Sequence, residues 1–352
     1  MNKTVVVIGA GIAGMESATF LGSLGHNVVL LEKEEIPGGH LKNWHKLFPT
    51  FRYGSEILNF LKEGIQLAKV DLKCNVDITN IKKNNEVFHI YYNHGDNKYN
   101  IDADAILVTT GFDLFDARLK EEYGYGIYNN VITSAELETM FKSGKPIVNS
   151  DGKSPERIGF VHCVGSRDEK VGHVYCSKVC CVTGVKQAIE LKERLPEAKI
   201  FSFYMDMRMY GMHFEAMYKK AQEEYGVNYI RGRLSEAAKN IDGSIQIKVE
   251  DTLAGKPLKM SVDLLVLLIG FVPSQGSNII GSMLGLETGI NGFYKTTDQN
   301  ALTNISNIPG VFFAGTCTSP NTITNTITDA RAAALTIDRY LADNPVMTRK
   351  LE

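Results

Sequence analysis

Lys3-Thr-Val-Val-Val-Ile8 runs straight into Gly9-Ala-Gly11-Ile-Ala-Gly14, and the apolar-periodic stretch Met15 to Leu24 follows. The first segment is a continuous apolar run, the pattern of a strand buried on both faces of a parallel sheet. Asn27-Val-Val-Leu-Leu31 resumes strand character and ends at Glu32. Gly9 permits a tight turn, Gly11 lets the backbone approach a pyrophosphate, and Gly14 lets the helix pack closely on the strand. The helix N-terminus adds free N–H groups and the positive end of its dipole. Glu32, 21 residues beyond Gly11, stands where a carboxylate can accept both ribose hydroxyls of an adenosine. Strand, turn, helix and acid together predict a dinucleotide site.

The residues after Glu32 favour FAD over NAD. Glu34-Glu-Ile-Pro-Gly38-Gly39-His40 supplies a second flexible glycine pair. It resembles the loop that lets the flavin end of FAD pass in the two-dinucleotide-domain flavoproteins. Ala105-Ile-Leu-Val108 ends in Thr109-Thr110-Gly111-Phe112, and Leu264-Leu-Val-Leu-Leu-Ile269 ends in Gly270-Phe271. Both resemble the strand-to-glycine exits by which that family crosses between its two domains. Gly310-Val-Phe-Phe-Ala314-Gly315-Thr316 is similar to the family's flavin-contacting strand, with a helix expected over 327–341.

The fold expected is therefore α/β and thioredoxin-reductase-like: a discontinuous FAD-binding domain, 1–112 plus 273–352, around an inserted α/β domain, 113–272. Residues 113–154, with Gly124, Gly126, Gly144 and Pro146, read as an irregular crossover. Strand 158–161, helix 180–194, strand 199–203 and helix 213–224 read as a second α/β unit. A glycine fingerprint for NAD(P)H should follow strand 158–161. The chain has His162-Cys163-Val-Gly165-Ser-Arg167-Asp168 there instead, so the insert reads as a degenerate NAD(P)H-like domain. An NAD(P)H-dependent disulfide reductase would also need an isolated C-x2-C pair, which is missing.

Composition excludes little else. The chain has 352 residues, 44% hydrophobic and 22% charged, with a formal net charge of -2. That balance gives no support to a nucleic-acid binder or a polybasic membrane anchor. The run Leu264–Ile269 is too short to span a bilayer, and the expectation is a cytoplasmic, non-membrane protein. Leu351-Glu352 could be an expression scar.

Cys163, Cys176, Cys180 and Cys181 form C-x12-C-x3-C-C, a clustering that argues for metal or redox chemistry. Cys176 and Cys180 would share one helix face. Four thiolates suit a [4Fe–4S] cluster and would also suit tetrahedral Zn²⁺. The missing C-x2-C knuckles and the flavin favour iron–sulfur; free or disulfide thiols remain a third reading. Cys74 and Cys317 read as packing residues. Met205 to Met212 reads as adaptable packing or an interface, and Arg167 with Asp168 as a pair beside the cluster or a surface turn.

Phe160-Val-His-Cys163-Val-Gly-Ser-Arg167-Asp-Glu-Lys170 and Tyr175-Cys176-Ser-Lys-Val-Cys180-Cys181 resemble the A-type subunits of heterodisulfide reductases. So do Tyr204-Met-Asp206-Met-Arg208 and Tyr229-Ile-Arg231-Gly-Arg233. The resemblance implies FAD and one [4Fe–4S] cluster, with the four cysteines as cluster ligands. It implies FAD contacts from Gly9, Gly11, Ala13, Gly14, Glu32, Lys33, Gly38, Gly39, His40, Ile78, Thr110, Gly111, Gly315 and Thr316. Lys186 corresponds to a lysine near the flavin N5, where its charge could bias the one-electron states of the flavin; the bland alternative is a solvated surface lysine. Relatives often carry an aspartate where Thr316 stands. The helix after Thr316 would aim its dipole at the flavin N1–C2=O edge. The family implies a homodimer within a complex that has B- and C-type subunits. Opening at the fingerprint, without ferredoxin-like modules, the sequence resembles the short form of sulfur-oxidising complexes. The A-type component of the quinone-interacting membrane-bound oxidoreductase is the alternative.

Overall fold

The computed structural model describes residues 3–342; Leu351-Glu352 lies outside them. The described chain forms two compact units. Unit 1 takes in 3–42, 55–113 and 272–342, and unit 2 takes in 43–54 and 114–271.

Unit 1 is built on a parallel sheet in the order Val311–Phe313, Ala105–Val108, Thr4–Ile8, Asn27–Leu31, Asp71–Lys73. Val5, Val6 and Val7 have no exposed surface, which is why this strand reads as unbroken apolar sequence and not as an alternation. Helix Ile12–Ser23 returns the chain to Asn27–Leu31. A three-stranded antiparallel meander, Val76–Asn84, Val87–His94 and Asn97–Ala103, precedes the strand Ala105–Val108.

Unit 2 repeats the plan. Its parallel sheet runs Val131–Thr133, Leu264–Ile269, Arg157–Val164, Lys199–Tyr204, Asn228–Arg231. Its own meander, Leu234–Lys239, Ile245–Asp251 and Lys256–Val262, leads into Leu264–Ile269. The two apolar exits that echo each other in sequence are thus equivalent strands of two similar sheets.

The stretch 113–154 is not an irregular crossover. Val131–Thr133 pairs with Leu264–Ile269 as the edge of the second sheet, and helix Ser134–Ser143 follows directly. Thr133 and Glu136 close a reciprocal capping box, which satisfies two of the helix's free N–H groups. The helix ends on Gly144, left-handed at φ 66°, so a glycine first read as loop is a helix stop.

Candidate functional site

The glycine turn of unit 1 is fixed from three sides. Gly9, at φ 103°, donates its N–H to Leu31 O at 2.8 Å. Thr109 donates its hydroxyl to Gly9 O at 2.8 Å and Ile8 O at 2.9 Å. A Cβ on Gly14 would run into Gly9 O and sit 2.8 Å from Thr109 Oγ1, so only glycine lets the helix seat here. A Cβ on Gly11 would meet nothing within 4 Å. Gly11 is also the N-cap, with no side-chain cap, so the helix keeps free N–H groups beside open space. That is the geometry an anionic phosphate requires.

Further predicted residues gather around this turn. Glu32 is buried and accepts N–H bonds from Ala10 at 2.6 Å and Glu34 at 2.9 Å. A carboxylate has about four lone-pair sites, so capacity remains for ribose hydroxyls. Gly38 donates to Ala10 O at 2.8 Å, and a Cβ on Gly39 would lie 3.3 Å from Gly11 Cα. Gly315, at φ 79°, approaches Ala13 so closely that an added Cβ would sit 2.7 Å from Ala13 Cβ. Thr316 Oγ1 would lie 3.8 Å from a Cβ on Gly111, and Thr110 Oγ1 bonds Ser277 Oγ at 2.6 Å. His40 stacks on Phe112 with centroids 4.3 Å apart and bonds Phe112 O at 2.9 Å. Burial lowers its pKa despite that bond.

Lys33 is exposed and 4.0 Å from Glu34. Ile78 lies in the meander beside a bulge, partly buried against the core. Helix Ile323–Leu341 begins at the N-cap Thr322, somewhat before the expected 327.

Sequence reading missed Thr109 and Asp329. Thr109 is the first residue of the Thr109-Thr110-Gly111 exit, a visible signal. Asp329 accepts from Gly315 N at 2.7 Å and Asn304 Nδ2 at 2.8 Å; burial raises its pKa against those bonds. An acid inside a helix gives no such signal in sequence.

In unit 2 all four predicted cysteines come from the far end of strand Arg157–Val164, the loop after it and the start of helix Cys180–Arg194. None forms a disulfide. Burial raises the Cys163 thiol to about 11 and the Cys180 thiol well above its ordinary value, and in each case the other cysteines add to the rise. Three of the sulfurs have polar neighbours. Lys178 N–H donates to Cys176 Sγ at 3.3 Å, while the Arg167 guanidinium beside Cys163 and the Arg208 N–H beside Cys181 each favour the thiolate. Such neighbours at buried sulfur suit thiolates held by a metal centre, since bare thiolates would be penalised by burial. The donor set fits an iron–sulfur cluster or a thiolate-bound ion. Among the described residues no group of three or more His, Cys, Asp or Glu is already arranged around a single metal ion. His162, beside Cys163, is fully buried and bonds Ser202 Oγ at 2.7 Å; burial lowers its pKa to about 3, so it is neutral.

Arg167 and Asp168 do not pair with each other. Arg167 pairs with Asp206, while the buried Asp168 takes Lys120 at 2.7 Å and Arg233 at 2.6 Å. Asp168 needs more partners than the turn offers, because an unpaired buried carboxylate is costly.

Lys186 is 2% exposed, so it is not a solvated surface lysine. It is paired with Glu138 and, at 2.7 Å, with Glu190. His45 bonds Glu190 at 2.7 Å and Gln187 bonds Glu138 at 2.8 Å, so each carboxylate has a second partner. Phe48, from the same early segment as His45, packs edge-on to Phe214.

A family model described as pyridine nucleotide-disulphide oxidoreductase matches residues 2–143 and 181–334. The unmatched span between them holds Cys163, Cys176 and Cys180. The A-type subunit of the H(2)/formate:CoB-CoM heterodisulfide,ferredoxin reductase of Methanococcus maripaludis is 32% identical over 417 residues, covering 95% of this chain and 63% of that protein. The A-type iron-sulfur subunit of the CoB–CoM heterodisulfide reductase of Methanocaldococcus jannaschii is 30% identical, covering 97% of this chain and 65% of that protein. The chain belongs to this oxidoreductase family and, within it, is similar to the A-type subunits of heterodisulfide reductases. It spans less than two thirds of the length of these relatives. Thioredoxin reductase from Lactococcus lactis has the same fold, with a TM-score of 0.67 at 20% identity, covering 97% of this chain and 100% of that one. Thioredoxin reductase from T. acidophilum gives a TM-score of 0.63 at 18% identity, covering 97% of this chain and 99% of that one. Among the described residues no helix is long and apolar enough to cross a membrane.

Proposed function

We propose that this chain is the FAD and [4Fe–4S] electron-transfer component of a cytoplasmic heterodisulfide-reductase-like complex, acting in sulfur-compound oxidation as a homodimer with B- and C-type subunits. One observation carries the reading. Unit 1 follows its central strand with a glycine turn suited to a pyrophosphate, while unit 2 sets four cysteines between the end of the equivalent strand and the start of the next helix. FAD would supply two-electron chemistry and the cluster one-electron chemistry.

The chain's residues bind and orient these groups. In this reading residues 1–112 and 273–352 form the FAD domain, and 113–272 carry the cluster. Gly9, Gly11, Ala13 and Gly14 admit the pyrophosphate to the helix N-terminus, and Glu32 with Lys33 takes the ribose side. Gly38, Gly39, His40 and Ile78 line the adenosine-to-flavin path, and Thr110, Gly111, Gly315 and Thr316 receive the flavin end. Cys163, Cys176, Cys180 and Cys181 ligate the cluster. Lys186 keeps the flavin role its family counterpart suggests, with Glu138 and Glu190 fixing the position of its ammonium group.

After anaerobic reconstitution with iron and sulfide, dithionite reduction should give the EPR signal of a reduced [4Fe–4S] cluster. NADH in a stopped-flow trace should leave the flavin oxidised. Rapid bleaching by NADH would overturn the reading, and a silent EPR spectrum would remove the cluster from it. Subunits co-purifying from the native host identify the complex.

A further inference from the structure

Beside the cysteines of unit 2 lies a charged pair that the proposed electron transfer leaves without a task. Arg167 sits at φ 55°, a left-handed conformation that costs a non-glycine residue about 1–2 kcal/mol. Its backbone N–H bonds Tyr175 O at 2.9 Å, which ties the segment after Cys163 to the segment before Cys176. Its guanidinium lies beside Cys163 and forms an ion pair with Asp206.

Asp206 follows strand Lys199–Tyr204 and reaches the group a second way, because Cys181 Sγ lies 3.7 Å from its carbonyl oxygen. Arg208 approaches the Asp206 carboxylate more distantly, at 3.5 Å. Cys163 is 8% exposed, whereas the side chains of Asp206 and Arg208 are 44% and 42% exposed. One cation is therefore held against a buried sulfur, and one carboxylate at the solvent boundary holds that cation.

Hydrogen bonds and charge at the ligand sulfurs set the potential of an iron–sulfur centre. One-electron reduction adds a negative charge without a proton, so a neighbouring cation favours the reduced state. We infer that Arg167 is a positioning residue that raises the electron affinity of the centre bound by Cys163, and that Asp206 limits this effect by anchoring and partly neutralising the guanidinium. The inference rests on the cluster reading above.

The test is an anaerobic, EPR-monitored redox titration of the reconstituted 352-residue chain, with iron and labile sulfide measured first. Arg167→Gln should lower the midpoint potential, Arg167→Lys should fall between it and the parent, and Asp206→Asn should raise it. Opposite shifts for Arg167→Gln and Asp206→Asn are a signature that a merely structural role does not give. The inference is overturned if Arg167→Gln titrates like the parent at full iron content, or if the two variants move the same way. Should Arg167→Gln fail to hold iron, unmoved potentials in Arg167→Lys and Asp206→Asn overturn it equally. A parent chain without a reduced-cluster signal sinks the cluster reading and this inference together; a normal parent signal with unmoved variants sinks this inference alone.

Discussion

In each unit the central strand hands the chain to a helix, and the two handovers differ in length and chemistry. Three residues, Gly9 to Gly11, link Thr4–Ile8 to Ile12–Ser23, while fifteen, 165–179, link Arg157–Val164 to Cys180–Arg194. The short link uses glycine wherever contact is too close for a Cβ, and it carries little strain. The long link holds Arg167 and Lys178 at positive φ, as does Cys163 at the strand end that feeds it, each at a cost of about 1–2 kcal/mol. One sheet order thus supports two kinds of site. A tight turn presents backbone N–H groups, and a strained loop presents sulfur.

If the handovers serve separate cofactors, each can be broken alone. Gly14→Val should have the largest effect, because its Cβ would strike Gly9 O and the repacking should cost more than the usual overpacking penalty of about 1–3 kcal/mol. Purified protein should lack flavin absorbance yet still take up iron. Cys180→Ser should do the converse, losing most iron by colorimetric assay while FAD absorbance is retained. A shared loss in both variants would show that the two sites fold as one.

Finer changes sharpen the unit 1 side. Glu32→Gln weakens two charged hydrogen bonds of about 1.5–3 kcal/mol each. FAD affinity by fluorescence titration should fall at least about tenfold. Thr109→Val loses both bonds to the glycine turn, and thermal unfolding should shift down by about 2–4 °C.

The smallest effect concerns His40, whose folded pKa lies below the unfolded value of about 6.5, mainly through burial. The unfolded chain therefore binds the proton first. The stability from keeping His40 neutral is full above about pH 6.5 and is lost as pH falls towards the folded value. His40→Gln should flatten the decline in melting temperature between about pH 7 and pH 5 by roughly a degree or two.

The sequence made the glycine turn legible because each of its residues answers a local steric demand. It also made helix Cys180–Arg194 and strand Leu264–Ile269 legible to the residue, since their apolar patterns are long. Val131–Thr133 escaped because three residues carry no period, although Thr133 and Glu136 spelled out a capping box in advance. The burial of Lys186 escaped for a different reason. Its partner Glu138 lies 48 residues away, and periodicity registers apolar faces, not ion pairs that neutralise one another inside a core. Arg167 and Asp168, adjacent in the chain, were separated by partners that only the tertiary fold brings near.

The division of the chain has a consequence for its synthesis. A ribosome releases most of unit 2 as an uninterrupted run, 114–271, so that its sheet is complete once Leu264–Ile269 has emerged. The sheet of unit 1 starts with Thr4–Ile8 but lacks its last strand until Val311–Phe313 appears. The half begun first is therefore finished last. The cysteine loop is complete while the glycine turn of unit 1 still waits for Gly315, and in the proposed reading the metal site is expected to mature before the nucleotide site.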